Sequence, residues 1–240
     1  MQGDATSTLD SKGIRPKRIV FCIDSSSEML TLLRASLNAG KKDTNLYYST
    51  RLETLQRFLK RFIKTNTLIE NTKDEYALML LTTKAKWLVN FTNDINTIYR
   101  AIDSLDQSVT EHYDRLDTQS IFDTLSMHID IDDDIYFTQV ILVYNRDSIV
   151  PEPAHDYQHI RDSPNFVLDV LFLHDRKLSE SMQSVYDFWS SLDSDIVPGW
   201  YYEAGLWQGK DDLAKALSQL LSHPHQRREQ EDIDKEIVYY

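Results

Sequence analysis

The residues with the clearest chemical potential lie in RIVFCIDSSSEM, residues 18–29. Asp24 closes an apolar run, and Ser25, Ser26, Ser27 and Glu28 follow it. Carboxylate and hydroxyl oxygens are hard donors, and a divalent ion such as Mg²⁺ takes them in an octahedron when several loops supply them. The same side chains also have a purely local use. Asp and Ser oxygens cap loops and the first turn of a following helix by hydrogen bonds to backbone N–H groups.

Other reactive residue types are scattered. His155 and His159 stand four apart in HDYQH, the spacing of two zinc ligands on a helix. They lack the glutamate of a His-Glu-x-x-His motif and follow Pro151 and Pro153, which places them in a polar loop. IDIDDDI (129–135) is acidic but has neither the glycine nor the terminal glutamate of an EF-hand loop, so it is expected to be a solvated connection. Cys22 is the single cysteine and lies inside the apolar run, where it is expected to be a small core residue. There are only six glycines, no glycine-rich phosphate loop and no G-x-S-x-G turn. No nucleophile, base and oxyanion donor assemble, so the sequence gives no support for an enzyme.

The elements that must position Asp24 follow from hydrophobic period. KRIVFCID (17–24), EYALMLLTT (75–83), TQVILVYN (138–145) and NFVLDVLFLH (165–174) are continuous apolar runs, as expected of strands buried on both faces. The last of these carries Asp169 in its middle. KAKWLVNFT (84–92) follows the second strand with almost no link, which predicts an antiparallel hairpin. GWYYEAG (199–205) is a short strand, and residues 34–45 are a loop. Leu52, Leu55, Phe58, Leu59, Phe62 and Ile63 recur at helical spacing. Further helices are predicted after an Asn93 cap, from Thr118, over 178–192 and over 210–222. The last reads DDLAKALSQLLS, an acidic start followed by apolar and small residues, as in ubiquitin-interacting helices; its leucine spacing assigns it to packing on the sheet. Strands alternating with helices, plus one hairpin, define an α/β, doubly wound, mostly parallel sheet with one antiparallel edge strand. The expected organisation is a flexible tail over 1–16, one domain over 17–222 and a C-terminal segment over 223–240.

The 240 residues are 41% hydrophobic and carry a formal charge of −12. Residues 1–64 hold 12 Lys/Arg against 6 Asp/Glu, and the remainder holds 14 against 32. An acidic majority disfavours nucleic acid, which needs clustered cations. The basic part falls largely on one helix and its flanks. No apolar run approaches membrane-spanning length and the first residues lack a leader's apolar stretch, so no membrane association is expected. With one cysteine, these features point to a reducing compartment.

In an open α/β sheet ligands bind beyond the carboxyl ends of the strands, where strand order reverses, and Asp24 falls on that rim. Here the chain resembles the von Willebrand factor A domain. That family's metal site combines Asp-x-Ser-x-Ser after the first strand, a Thr from a second loop and an Asp in a third. Asp24 and Ser26 match, Glu28 stands at the second Ser, and Thr118 is the candidate Thr. ILVYNRDS places Tyr144, Asn145 and Arg146 where strand-Thr-Asp-Gly would run, so the third-loop carboxylate is missing. A cation beside the site opposes a divalent ion. The reading is a degenerate site (Asp24, Ser26, Glu28, Thr118, Asn145) with no metal or other cofactor. Weak metal-dependent ligand binding through Asp24 and Ser26 is the alternative.

RIVFCIDSSSEM, DEYALMLLTTKAKWLVNFTNDINTIYRAIDSLD, TQVILVYNRDS and LSQLLSHPHQR together are similar to the A-like scaffold subunits of the BRISC deubiquitinase and the BRCA-one A complex, over roughly residues 17–228. The resemblance implies a non-catalytic adaptor in the cytoplasm and nucleus, serving ubiquitin removal, DNA repair or mitosis. Its implied partners are a scaffold with ubiquitin-conjugating-enzyme-like folds, a metalloprotease that cleaves lysine-sixty-three-linked ubiquitin and a pseudo-protease. It carries a docking role onto Pro224 and Arg227, where proline stiffens the exit from the last helix and arginine offers a planar donor fork. Tyr201, Tyr202 and Trp207 are further candidates for a contact surface, with a core role as the equal alternative.

Overall fold

Lys17–Asp24 has apolar side chains on both sides of its pleat, so it is stable only where both faces are covered, and the chain covers them. The computed structural model describes residues 15–33, 49–69, 73–109, 111–174, 179–206, 211–230 and 232–233. The expected N-terminal tail up to residue 14, the loop over 34–45 and Trp207 lie outside the described residues.

In chain order the strands are β1 (Lys17–Asp24), β2 (Leu32–Leu33), β3 (Ser49–Thr50), β4 (Glu75–Leu81), β5 (Ala85–Thr92), β6 (Phe137–Tyr144), β7 (Phe166–His174) and β8 (Tyr201–Gly205). The helices are α1 (Arg51–Ile69), α2 (Ile95–Asp103), α3 (Gln119–His128), α4 (Gln158–Arg161), α5 (Glu180–Ser190) and α6 (Asp211–Gln219). Six strands form one sheet in the order β5-β4-β1-β6-β7-β8, and β2 and β3 pair as a separate two-stranded ribbon. Every pair in the large sheet is parallel except β4–β5, the expected hairpin. β1 is flanked by β4 and β6, so the chain leaves it toward both halves of the sheet, and the reversal falls at its carboxyl end.

The pleat sorts the apolar runs into two cores. Ile19, Phe21, Ile23, Leu78, Leu80, Ile141 and Val143 face α1, α2 and α6, whose Leu55, Leu59, Phe62, Ile98, Ile102 and Leu217 complete that layer. Val20, Cys22, Met79, Val140, Leu142 and Phe172 face α3, α4 and α5, which supply Ile121, Phe122, Leu125, Ile160, Val185 and Trp189. Each fully buried side chain of this size contributes about 1.5–3 kcal/mol, so the uniform runs are held by packing on both sides. Cys22 is fully buried, as expected, and burial followed by the nearby Asp24 charge pushes its thiol well above the ordinary range.

Two local expectations are corrected. The cap of α2 is Asp94, whose carboxylate accepts from the Asn96 N–H at 3.1 Å; Asn93 lies one residue too early. Within the acidic connection Asp133 is not simply solvated, because it pairs with Arg18 at 2.8 Å. Tyr201 and Tyr202, weighed both as contact-surface and as core residues, take the core role at 7% and 9% exposure. Leu213 and Leu217 of α6, with Leu220 just after it, pack in the core on the sheet, as their spacing predicts.

Gly199, before β8, lies against β7, and a Cβ placed there would stand 2.0 Å from the Leu168 carbonyl oxygen. Backbone cannot yield as a side-chain tip can, so Gly199→Ala is expected to lose about 1–3 kcal/mol. Urea unfolding of the two proteins checks it; equal midpoints would contradict the close approach.

Candidate functional site

The carboxyl rim of β1 brings together most of the residues the sequence singles out. Asp24 is fully buried, and its carboxylate is saturated from within the chain. Oδ1 accepts from the Ser26 N–H at 3.1 Å, from Arg146 Nε at 3.1 Å and from Arg146 Nη2 at 2.9 Å. Oδ2 accepts from the Asn145 N–H at 3.1 Å. Arg146 is itself fully buried, and its remaining donors reach the carbonyls of Arg115 (2.7 Å), Leu81 (3.2 Å) and Thr82 (2.7 Å). Its guanidinium also lies 5.1 Å from the Tyr113 ring centre and 5.7 Å from that of Tyr144. One side chain thus ties together β1, the end of β4, the loop before α3 and the loop after β6.

Burial pushes the Asp24 carboxyl above the usual carboxylate range. The charge and N–H donors of Arg146, then the backbone N–H groups of Ser26 and Asn145, pull against that push. Arg146 keeps its proton in any protein environment, so the rim holds a fixed cation within hydrogen-bond distance of its carboxylate. A second arginine stands close by. Arg51, at the start of α1 and 2% exposed, donates to Asn145 Oδ1. Around this centre, Ser26 Oγ, Thr118 Oγ1 and Glu28 Oε2 are buried and take no hydrogen bond among the described residues. Glu28 turns its other oxygen to His112 Nδ1 at 2.7 Å.

The donor set therefore does not fit the divalent ion the fold family implies. Each Asp24 oxygen already has a donor, the third loop offers an amide and a cation, and a divalent ion would meet the guanidinium at close range. Thr118 heads α3, yet its hydroxyl bonds to no member of the site. His155 and His159 stay apart from it, His159 lying near Asp156 at 3.9 Å. No group of three His, Cys, Asp or Glu able to hold a metal occurs among the described residues.

The C-terminal residues build a second arginine–aspartate centre, which corrects the expectation that Arg227 offers its fork outward. Asp169, fully buried in the middle of β7, accepts from Arg227 Nη1 (2.6 Å) and Nη2 (2.9 Å), from the Trp200 N–H (3.0 Å) and from Gln139 Nε2 (2.8 Å). Arg227 lies over the Trp200 ring at 4.5 Å, and 3% of its side chain is exposed. An uncompensated carboxylate there would be too costly, so the strand draws the fork inward. Pro224 is buried in a single 3₁₀ turn, Pro224–Gln226. Gln230 exchanges two hydrogen bonds with the Tyr201 backbone along the edge of β8. His223 is 2% exposed beside Phe137, and burial, then Lys17, His225 and Arg227, lower its pKa from 6.5 to about 4. Arg51 carried no sequence signal of its role, whereas Asp169, an acid within an apolar strand, signalled its need for a partner.

No protein-family model matches the chain. Solved structures with the same fold include a von Willebrand factor type A protein from Catenulispora acidiphila, 13% identical over 88% of this chain and 43% of that one, with a TM-score of 0.55. The vWF domain of the pilus tip protein Mfa5 from Porphyromonas gingivalis is 11% identical, covers 87% and 95%, and has a TM-score of 0.52. Sheet order, rim position and these likenesses define a von Willebrand factor A-like domain, one whose metal loop is closed by arginine. Within that class the chain is similar in sequence to the proteins named BRISC and BRCA1-A complex member 1. It is 25% identical to that of Xenopus laevis over 224 residues, 88% of this chain and 65% of the relative. It is 23% identical to that of Homo sapiens over 226 residues, 88% and 65%. The chain thus spans just under two thirds of the length of these relatives, whose names describe a member of a complex. No described helix is long and apolar enough to cross a membrane.

Removing Arg146 leaves a buried carboxylate unpaired, so Arg146→Ala is expected to cost about 3–5 kcal/mol in urea unfolding. Asp24→Asn with Arg146→Met together should cost less than the sum of the single changes. Millimolar Mg²⁺ should leave wild-type melting unchanged; a stabilisation that vanishes in Asp24→Asn would show that the site still takes metal. His223 gives a pH signature. Its folded pKa lies below its unfolded value, so stability is intact above pH 6.5 and falls between 6.5 and about 4, by at most about 3 kcal/mol. His223→Gln should flatten that part of the stability–pH curve; an unaltered slope would place the titrating group elsewhere.

Proposed function

We propose that this chain is a non-catalytic scaffold subunit that assembles and stabilises a BRISC-type deubiquitinase complex specific for lysine-sixty-three-linked ubiquitin. The observation that carries the reading is the Arg146 guanidinium on Asp24. It converts the ligand-binding rim of an A domain into an internal ion pair and leaves the outer surfaces for recognition. The naming of these relatives as complex members supports the same reading. The partners are a scaffold subunit with ubiquitin-conjugating-enzyme-like folds and, through it, the metalloprotease and pseudo-protease subunits, in the cytoplasm and nucleus. Neither nucleic acid nor membrane is a partner of so acidic a chain.

The docking segment is 223–230, with Pro224 and Arg227 as the residues that shape it. Arg227 anchors the segment by its bond to Asp169, and the outward residues His225, Gln226 and Arg228 then present a fixed surface. The alternative, a metal-dependent ligand-binding A domain using Asp24 and Ser26, requires Arg146 to leave a carboxylate it has desolvated completely.

The test is co-elution with the subunit bearing the ubiquitin-conjugating-enzyme-like folds, with wild type beside Arg228→Glu and Arg227→Ala. Arg228→Glu should weaken co-elution of a chain that keeps the wild-type circular dichroism, because Arg228 is exposed. Arg227→Ala should weaken it and lower the melting temperature. Failure of the folded wild type to co-elute would refute the scaffold reading.

A further inference from the structure

A groove runs between α1 and α6 on the face of the domain away from α3 and α5. Phe58, Phe62, Leu217 and Leu221 form its floor, and Arg61 and Ser218 stand among its walls. Its volume is about 210 Å³, below the ~300–1,000 Å³ of sites that enclose a small molecule. That space suits one or two apolar side chains of a larger partner.

The lining residues recur at three- and four-residue intervals on both helices, so each helix gives one stripe to the groove. On α1 the same three- and four-residue spacing continues beyond the groove-lining residues to Leu68 and Ile69, which are 77% and 61% exposed. From Phe58 to Ile69 this stretch of the helix is about 16 Å long at 1.5 Å per residue, the length of three helical turns.

Charge selects the occupant. Arg57, Arg61 and Lys64 form an exposed basic ridge beside the apolar stripe, on a chain whose net charge is −12. Lys60 on the same helix pairs with Asp103, whereas Arg61 and Lys64 form no ion pair among the described residues. The ridge would repel a basic segment and attract an acidic one. The exposed faces of α5 and α6 offer no comparable row of cations.

We propose that the α1–α6 groove docks an amphipathic helix of a partner subunit, apolar along one stripe and acidic beside it. The inference rests on the reading of the chain as a complex subunit. Two large side chains of that helix enter between Phe58, Phe62, Leu217 and Leu221, and its carboxylates meet Arg61 and Lys64, the helix-in-groove mode of recognition. The groove lies on the opposite side of the sheet from α3 and α5, so it extends the contact surface beyond the C-terminal segment.

Ser218→benzoylphenylalanine in the full chain, expressed in its native cells, places a photo-cross-linker in the groove wall. The cross-linked peptide is sequenced by mass spectrometry, synthesised with a fluorophore and titrated against the purified chain. The expected product is a partner segment with apolar residues at helical spacing and neighbouring Asp or Glu. Its affinity should fall at least tenfold with Arg61→Glu and disappear with Ser218→Trp, which fills the groove from an exposed position. Both variants should melt like wild type. A cross-link to a second copy of the chain, to its own residues 234–240, or to a segment without carboxylates overturns the proposal. So does the absence of any cross-link in a chain that still fractionates with a large complex. A chain that fractionates alone overturns the subunit reading itself, and the groove proposal with it.

Discussion

Two charges without access to water face each other at the carboxyl end of β1, and much of the domain is arranged around them. Asp24 sits where the sheet reverses direction, the position at which an A domain gathers loops around an ion. Arg146 reaches that point from the loop after β6 and takes the place an ion would have. A guanidinium is a planar cation with five directed donors, so it binds a carboxylate and still has donors for the carbonyls of Leu81, Thr82 and Arg115. It joins the same loops that a metal joins. The cation is covalently part of the chain, so this joint is present whenever the chain is folded.

That substitution carries a functional consequence. A metal at an A-domain rim exchanges ligands, and an open coordination position can accept a partner's oxygen. A buried arginine with each of its three nitrogens bonded within the chain has no such position. Desolvation makes the pair costly to separate, because either charge left alone in the interior would be destabilising by several kcal/mol. The rim of this domain therefore offers a partner no open ligand position.

The second centre uses the same chemistry at a different place in the sheet. Asp169 interrupts the apolar β7 and takes four donors, two from Arg227. Through it the polar, charged C-terminal stretch is bound to the domain, beside the buried Pro224 and the His223 and His225 rings against Phe137. Gln230, pairing with the backbone of Tyr201, covers part of the β8 edge that would otherwise be open to another strand. The A-domain sheet and the residues beyond its last helix are one folded body as far as Gln230.

The sequence by itself determined the layers. Uniform apolar runs required strands covered on both faces, the tight link at residues 82–84 required a hairpin, and helical spacing in residues 52–63 required an amphipathic helix. It also located Asp24 on the rim and exposed the loss of the third-loop carboxylate at Asn145 and Arg146. Those features are local, or repeat at a fixed period, so one stretch of chain states them. The tertiary structure alone decided which charges meet. Asp24 and Arg146 are 122 residues apart, and Asp169 and Arg227 are 58 apart. No local pattern distinguishes an arginine that will be drawn into the interior from one left in water. The difference lies in whether a desolvated carboxylate waits within reach, and only the folded sheet puts it there.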